Sequence, residues 1–160
     1  MVDLSKYRGD FSILQTEMNG KPLAFLDSAA SAQKPQSVID SMVHYYQHDN
    51  ANVHRGAHTL GDRATHDFEA ARDTVQQFLN APSRKEIIWT KGTTEAINLL
   101  AHGLSEQFSE GDEIIVSGME HHANIVPWQI MAERTGAILR VLEVDEQGEL
   151  DHQKLIQLIT

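Results

Sequence analysis

Lys91-Gly92-Thr93-Thr94-Glu95 and Met119-Glu120-His121-His122-Ala123-Asn124 are the two stretches of this sequence best suited to chemistry. In the first, an apolar run ends, a glycine turns the backbone and two threonines open a helical pattern. The first N–H groups of a helix lack internal partners and carry partial positive charge. A phosphate fits there, with threonine hydroxyls as further donors. Thr93 or Thr94 serves equally as a plain N-cap. The turn is neither a Walker loop nor a Gly-x-Gly-x-x-Gly fingerprint, which disfavours ATP and NAD. In the second stretch, paired histidines follow another apolar run and precede a helix. An imidazole there can stack on a planar ligand or move a proton near neutral pH. Its alternative role is to cap the helix or pack against it.

Asn52-Val53-His54-Arg55-Gly56-Ala57-His58-Thr59 places two histidines and an arginine in irregular backbone. Arginine can hold a carboxylate bidentately, and a solvated loop is the competing reading. Asp27-Ser28 either forms an Asx turn or belongs to a ligand pocket. His44 and His48 stand four apart, a spacing zinc can use, but no third ligand is near in sequence and no metal site is expected.

These residues need elements to hold them. PLAFLD (22–27), EIIWT (86–90), DEIIVSG (112–118) and AILRVLEVD (137–145) read as strands. Helical periodicity starts at Pro35, with Val38, Met42 and Tyr45 on one face, and runs again from about Gly61 to Leu79 through Ala64, Phe68, Ala71, Val75 and Phe78. A third helix opens at Thr93 and a fourth covers 123–135, with Pro127 in its first turn and Gly136 as its stop. Leu155, Leu158 and Ile159 begin a fifth. From residue 86 the order is β-α-β-α-β-α, and the strands EIIW and EIIV are apolar on consecutive positions. That predicts an α/β fold whose parallel sheet is covered on both faces, with 1–20 as an N-terminal arm. Ligands of such sheets bind at the carboxyl edge, where the turns at 91–94 and 119–124 both fall. Doubly wound sheets carry more strands than the three strong ones and one weaker one seen here, so the sheet is expected to be incomplete at the C-terminus. A small complete α/β domain is the alternative.

The 160 residues carry 13 Lys+Arg against 23 Asp+Glu, a formal net charge of −10, with no basic cluster. Nucleic-acid and anionic-membrane binding are therefore not expected. There is no cysteine, which excludes a disulfide framework, Cys-ligated metal and a Cys nucleophile within these residues. No run approaches the roughly 18 apolar residues of a membrane span, and the first residues do not read as a signal peptide. The expected compartment is the cytoplasm.

LDSAASAQKP (26–35), VHRGAHTL (53–60), TKGTTEAINL (90–99) and MEHHANIVPW (119–128) together resemble the SUF-type cysteine desulfurases. These are class V aminotransferase-fold enzymes dependent on pyridoxal 5′-phosphate (PLP). The likeness runs in order from about Asp10 to Thr160. HHANIVPW with VHRGAHTL is its most specific part and sets this group apart from the NifS/IscS type. It implies that residues 21–160 are the N-terminal part of the PLP-binding large domain of a fold-type I transferase. It implies that Thr93 and Thr94 bind the PLP phosphate, that His121 stacks on the ring and helps move protons, and that Asn124 lies near the cofactor. Ala29, Ala30, His54 and Arg55 match segments lining the substrate entrance, partly near a dimer interface.

The reaction so implied takes L-cysteine to L-alanine and leaves a persulfide sulfur on an enzyme cysteine, for delivery to an acceptor protein in iron–sulfur cluster assembly. Some relatives accept L-selenocysteine, and the full-length form is expected to be a homodimer. The family's Schiff-base lysine has no match among Lys6, Lys21, Lys34, Lys85, Lys91 and Lys154, and its persulfide cysteine has none either. These residues alone are expected to be inactive. The competing readings are another PLP enzyme of this fold, such as a kynureninase-like, isopenicillin-epimerase-like or selenocysteine lyase protein, and a non-catalytic truncated binding protein.

Overall fold

The computed structural model describes residues 3–159, which divide into two compact units, Met1–Ile87 and Ile88–Thr160. Of residues 1–20, expected as an arm, 1 and 2 lie outside the described residues and 3–20 fall within the first. There two 3-10 turns, Ser5–Asp10 and Ser12–Gln15, lead into a hairpin of β1 (Glu17–Met18) and β2 (Lys21–Pro22). Asn19 and Gly20 turn the hairpin at φ 56 and 70, the left-handed pair that a tight two-residue connection requires. Helix α1 (Gln36–His44) starts directly after Pro35 and continues as a π turn, Tyr45–Asp49. Helix α2 (Thr59–Phe78) begins under the side chain of His58, whose Nδ1 accepts from the Gly61 N–H at 3.1 Å.

Several ion pairs link the elements of this unit. Asp49 is buried and pairs with Arg63, with His44 Nε2 at 3.4 Å from its other oxygen. His44, one of the two histidines at metal spacing, is thus turned toward a carboxylate that already has an arginine partner. Glu69 pairs with Arg84 and, at 3.4 Å, with Arg72, while Arg84 also reaches Asp73 at 3.1 Å.

In the second unit, α3 (Thr93–Leu104), β3 (Glu113–Ser117), α4 (Val126–Thr135), β4 (Ile138–Leu142) and α5 (His152–Leu158) follow in order. β3 and β4 are parallel, with Glu113 opposite Ile138 and Ser117 opposite Leu142. The ladder continues at its carboxyl end through Gly118 N–H to the Leu142 carbonyl at 2.8 Å. The α4 crossover carries Pro127 in its first turn and stops at Gly136 in the left-handed conformation, φ 79. Asp151 caps α5, accepting from the Gln153 N–H at 2.8 Å. α4 and α5 both pack on β4, and α3 packs on α4. Ala101, Val116, Met131, Ala132 and Leu142 form the buried core.

Two expected strands differ. The 22–27 run pairs only through Lys21–Pro22 and one further bond from Leu23 N–H to the Thr16 carbonyl. The 86–90 run opens as a 3-10 turn, Arg84–Glu86, after which Ile87 is extended and buried but has no ladder. A strand exists only where a neighbour satisfies its N–H and C=O groups; the first run has such a neighbour only at its start, and the second has no ladder partner among the described residues. The apolar stripes form as helices but are only partly covered: Met42 is 56% exposed, Leu100 55% and Phe78 86%. Among the described residues no helix is long and apolar enough to cross a membrane.

Gly61 and Gly56 pack backbone to backbone, and a Cβ on Gly61 would stand 2.6 Å from the Gly56 Cα. Gly61→Ala is therefore expected to destabilise the protein by about 1–3 kcal/mol, as overpacking does. Gly103→Ala, at a helical position with nothing within 4 Å of its Cβ, is expected to be neutral or stabilising. Urea denaturation of both variants checks the contrast.

Candidate functional site

Helix α3 starts at an open end. Gly92 is its N-cap, at φ 158 and ψ 178, backbone that essentially only glycine adopts. No side chain caps the helix, and a Cβ at Gly92 would meet nothing within 4 Å. Thr93 and Thr94 are exposed in the first turn, so neither threonine is the N-cap. The Glu95 carboxylate accepts from the Lys91 N–H, so a side-chain anion already settles on the amide just ahead of the helix. The helix end presents backbone donors, partial positive charge and two hydroxyls to solvent, the donor set a phosphate dianion uses.

The turn after β3 is built differently, from a chain of side-chain bonds. Ser117 Oγ donates to Glu120 Oε1 at 2.8 Å, and Asn124 Nδ2 donates to Glu120 Oε2 at 2.9 Å. Asn124 Oδ1 in turn accepts from Trp128 Nε1 at 2.9 Å. This ladder ties the end of β3 to the first turns of α4, and His121 sits inside the span it closes. His121 Nδ1 accepts from the Ala123 N–H at 3.1 Å, and its carbonyl accepts from the Asn124 N–H at 2.8 Å. With the Nδ1 lone pair engaged, the neutral imidazole carries its proton on Nε2. The ring is exposed, with the His122 ring 6.1 Å away.

The Asn124 and Ser117 hydrogen bonds hold the Glu120 carboxyl below its ordinary value of 4.5. A carboxylate held in this way stabilises the fold above 4.5, and the contribution fades as pH falls below that value. Trp128 emission, read in a Trp89→Phe background, is expected to change in that acid range as the bridging carboxylate takes up its proton. Glu120→Gln, which has no proton to gain there, is expected to lack the transition.

The 3-10 turn His122–Asn124 packs against α3, so the helix that Thr93 opens and the turn that follows His121 are neighbours. Thr93, Thr94, His121 and Asn124 thus belong to one compact unit. The other four expected residues lie in the first unit. Ala29 and Ala30 sit in an exposed turn whose Ser31 N–H donates to the Asp27 carbonyl at 3.1 Å. His54 and Arg55 sit in the turn ahead of α2. His54 takes a left-handed φ of 66, uncommon for a side chain of its size, and is held there three ways. Its N–H donates to Thr65 Oγ1 at 2.9 Å, its Nε2 lies 3.1 Å from Glu69 Oε1, and its ring meets Phe68 edge-on.

A family model for aminotransferase class-V matches residues 24–160. The chain belongs to the class-V aminotransferase family. This class-V chain is 52% identical over 158 residues to a protein named cysteine desulfurase from Synechococcus elongatus, covering 96% of the chain and 25% of that relative. It is 52% identical over 161 residues to a probable cysteine desulfurase from Vibrio cholerae, covering 100% of the chain and 40% of the relative. The apo structure of the Thermococcus onnurineus cysteine desulfurase superposes with a TM-score of 0.87 at 36% identity, over 99% of the chain and 38% of that structure. The class-V chain thus spans between a quarter and two fifths of these proteins.

Sequence reasoning singled out His121 and Asn124 but not the groups that hold them, Ser117, Glu120 and Trp128. The spacing of Glu120, Asn124 and Trp128, each four residues from the last, was the available signal, since such positions share one side of a helix. The Glu69 partner of His54, fifteen positions away, left no comparable trace.

Proposed function

We propose that the protein carrying these residues is a PLP-dependent cysteine desulfurase of the SUF type, taking L-cysteine to L-alanine. The observation that carries the proposal is the uncapped, glycine-led start of α3, on a helix that packs against the turn following His121. The residues present fit the cofactor: a phosphate needs donors and positive potential, which the first turn of α3 has unspent. A planar pyridine ring suits an exposed imidazole. When bound, PLP supplies an electron sink for charge developing at the substrate carbon. Thr93 and Thr94 hold the phosphate through hydroxyl and backbone donors. His121 faces the ring and offers the proton on Nε2, the nitrogen its Ala123 bond leaves available. The guanidinium of Arg55 suits a substrate carboxylate.

The finer reading rests on VHRGAHTL with HHANIVPW. In it the sulfur leaves as a persulfide for an acceptor protein of iron–sulfur cluster assembly, in a cytoplasmic homodimer. The cofactor-anchoring lysine and the persulfide cysteine have no match among these 160 residues, and a persulfide requires a thiolate. The isolated 160-residue chain, mixed with PLP and L-cysteine, is therefore expected to release no sulfide beyond that of free PLP. The whole protein is expected to form alanine catalytically. Turnover by the isolated chain would overturn this division of roles, and a whole protein that prefers L-selenocysteine or a kynurenine would replace the desulfurase reading.

A further inference from the structure

We propose that Glu120 is the positioning residue of His121: its carboxylate bridges Ser117 and Asn124 and so holds the imidazole with Nδ1 on the Ala123 amide. The Ser117 bond fixes one end of the bridge to the last residue of β3. The Asn124 bond, backed by Trp128, fixes the other to the turn leading into α4. Between these anchors only six residues intervene, and His121 is among them. A carboxylate suits the task because its two oxygens accept two donors from opposite sides at once. Glutamine at the same place could do it too, by accepting from Asn124 through its oxygen and donating to the Ser117 hydroxyl. Alanine could not. The role is geometric, and the negative charge itself is dispensable. The consequence for chemistry rests on His121 facing the cofactor: a clamped ring keeps Nε2–H as the proton it presents, whereas an unclamped ring samples both tautomers.

Amide hydrogen exchange at Ala123 in the whole protein, measured with the imidazole neutral, reads the clamp without any cofactor. Glu120→Ala is expected to speed that exchange about tenfold, the loss of roughly one hydrogen bond of protection. Glu120→Gln is expected to exchange like the unsubstituted protein. Unchanged exchange in Glu120→Ala would overturn the proposal, and so would Glu120→Gln behaving like the alanine variant. Should Glu120→Ala fail to fold, Trp128→Phe removes only the outer donor and is expected to raise the exchange severalfold; no change there would equally overturn it. A second readout is the visible circular dichroism of added PLP, expected to weaken in Glu120→Ala and to return in Glu120→Gln. If the unsubstituted protein takes up no PLP, the functional reading fails while the exchange result still decides the clamp.

Discussion

Replacing His121 with alanine in the PLP-loaded whole protein is expected to lower kcat by about 10²- to 10⁴-fold, the range over which a positioned acid–base group acts. The turn after β3 ends in a 3-10 segment whose opening N–H groups lack partners within it, and His121 Nδ1 accepts that of Ala123. That fixes the tautomer and leaves Nε2–H as the exchangeable proton. His121→Phe separates the two roles assigned to the ring. It keeps an aromatic face for the cofactor and has no proton to move, so PLP affinity is expected to hold while kcat falls. If His121 were only a cap, both variants would cost about 1 kcal/mol of stability and leave kcat alone.

The second large effect belongs to the phosphate end. Thr93→Ala combined with Thr94→Ala is expected to weaken PLP binding about a hundredfold. A hydrogen bond to a charged group contributes at least about 1.5 kcal/mol, and two hydroxyls are removed. Each 1.4 kcal/mol is tenfold in affinity. The serine pair, Thr93→Ser with Thr94→Ser, keeps both hydroxyls and is expected to bind nearly as the original does. Equilibrium dialysis of PLP against the three proteins checks it. Because backbone N–H groups and the helix dipole remain in every variant, binding should weaken without vanishing. Equal affinity for all three would place the phosphate elsewhere.

Much of this site was readable before any coordinates. Gly92 followed by two threonines, after an apolar run, announced a helix start that a phosphate could use, and α3 begins at Thr93. The runs at 112–118 and 137–145 read as strands and form the parallel pair β3 and β4, and Gly136 ends α4 as a left-handed stop. These features are local, so periodicity and turn chemistry reveal them. What failed depended on partners distant in sequence. The 22–27 and 86–90 runs have strand composition, but hydrogen-bonded neighbours make a strand and composition cannot supply them. The stripe ending at Phe78 marks a helix face correctly and says nothing of whether that face is covered. The Glu120 ladder lay in plain view as four-residue spacing, yet such spacing looks the same whether it forms a network or a solvated helix face.

The most direct measurement is a crystal structure of the whole protein loaded with PLP. The account predicts the phosphate on the first turn of α3, bonded by Thr93 and Thr94, with the pyridine ring against His121 and the imidazole still accepting from Ala123. A phosphate bound away from α3, or a ring that does not meet His121, would contradict it.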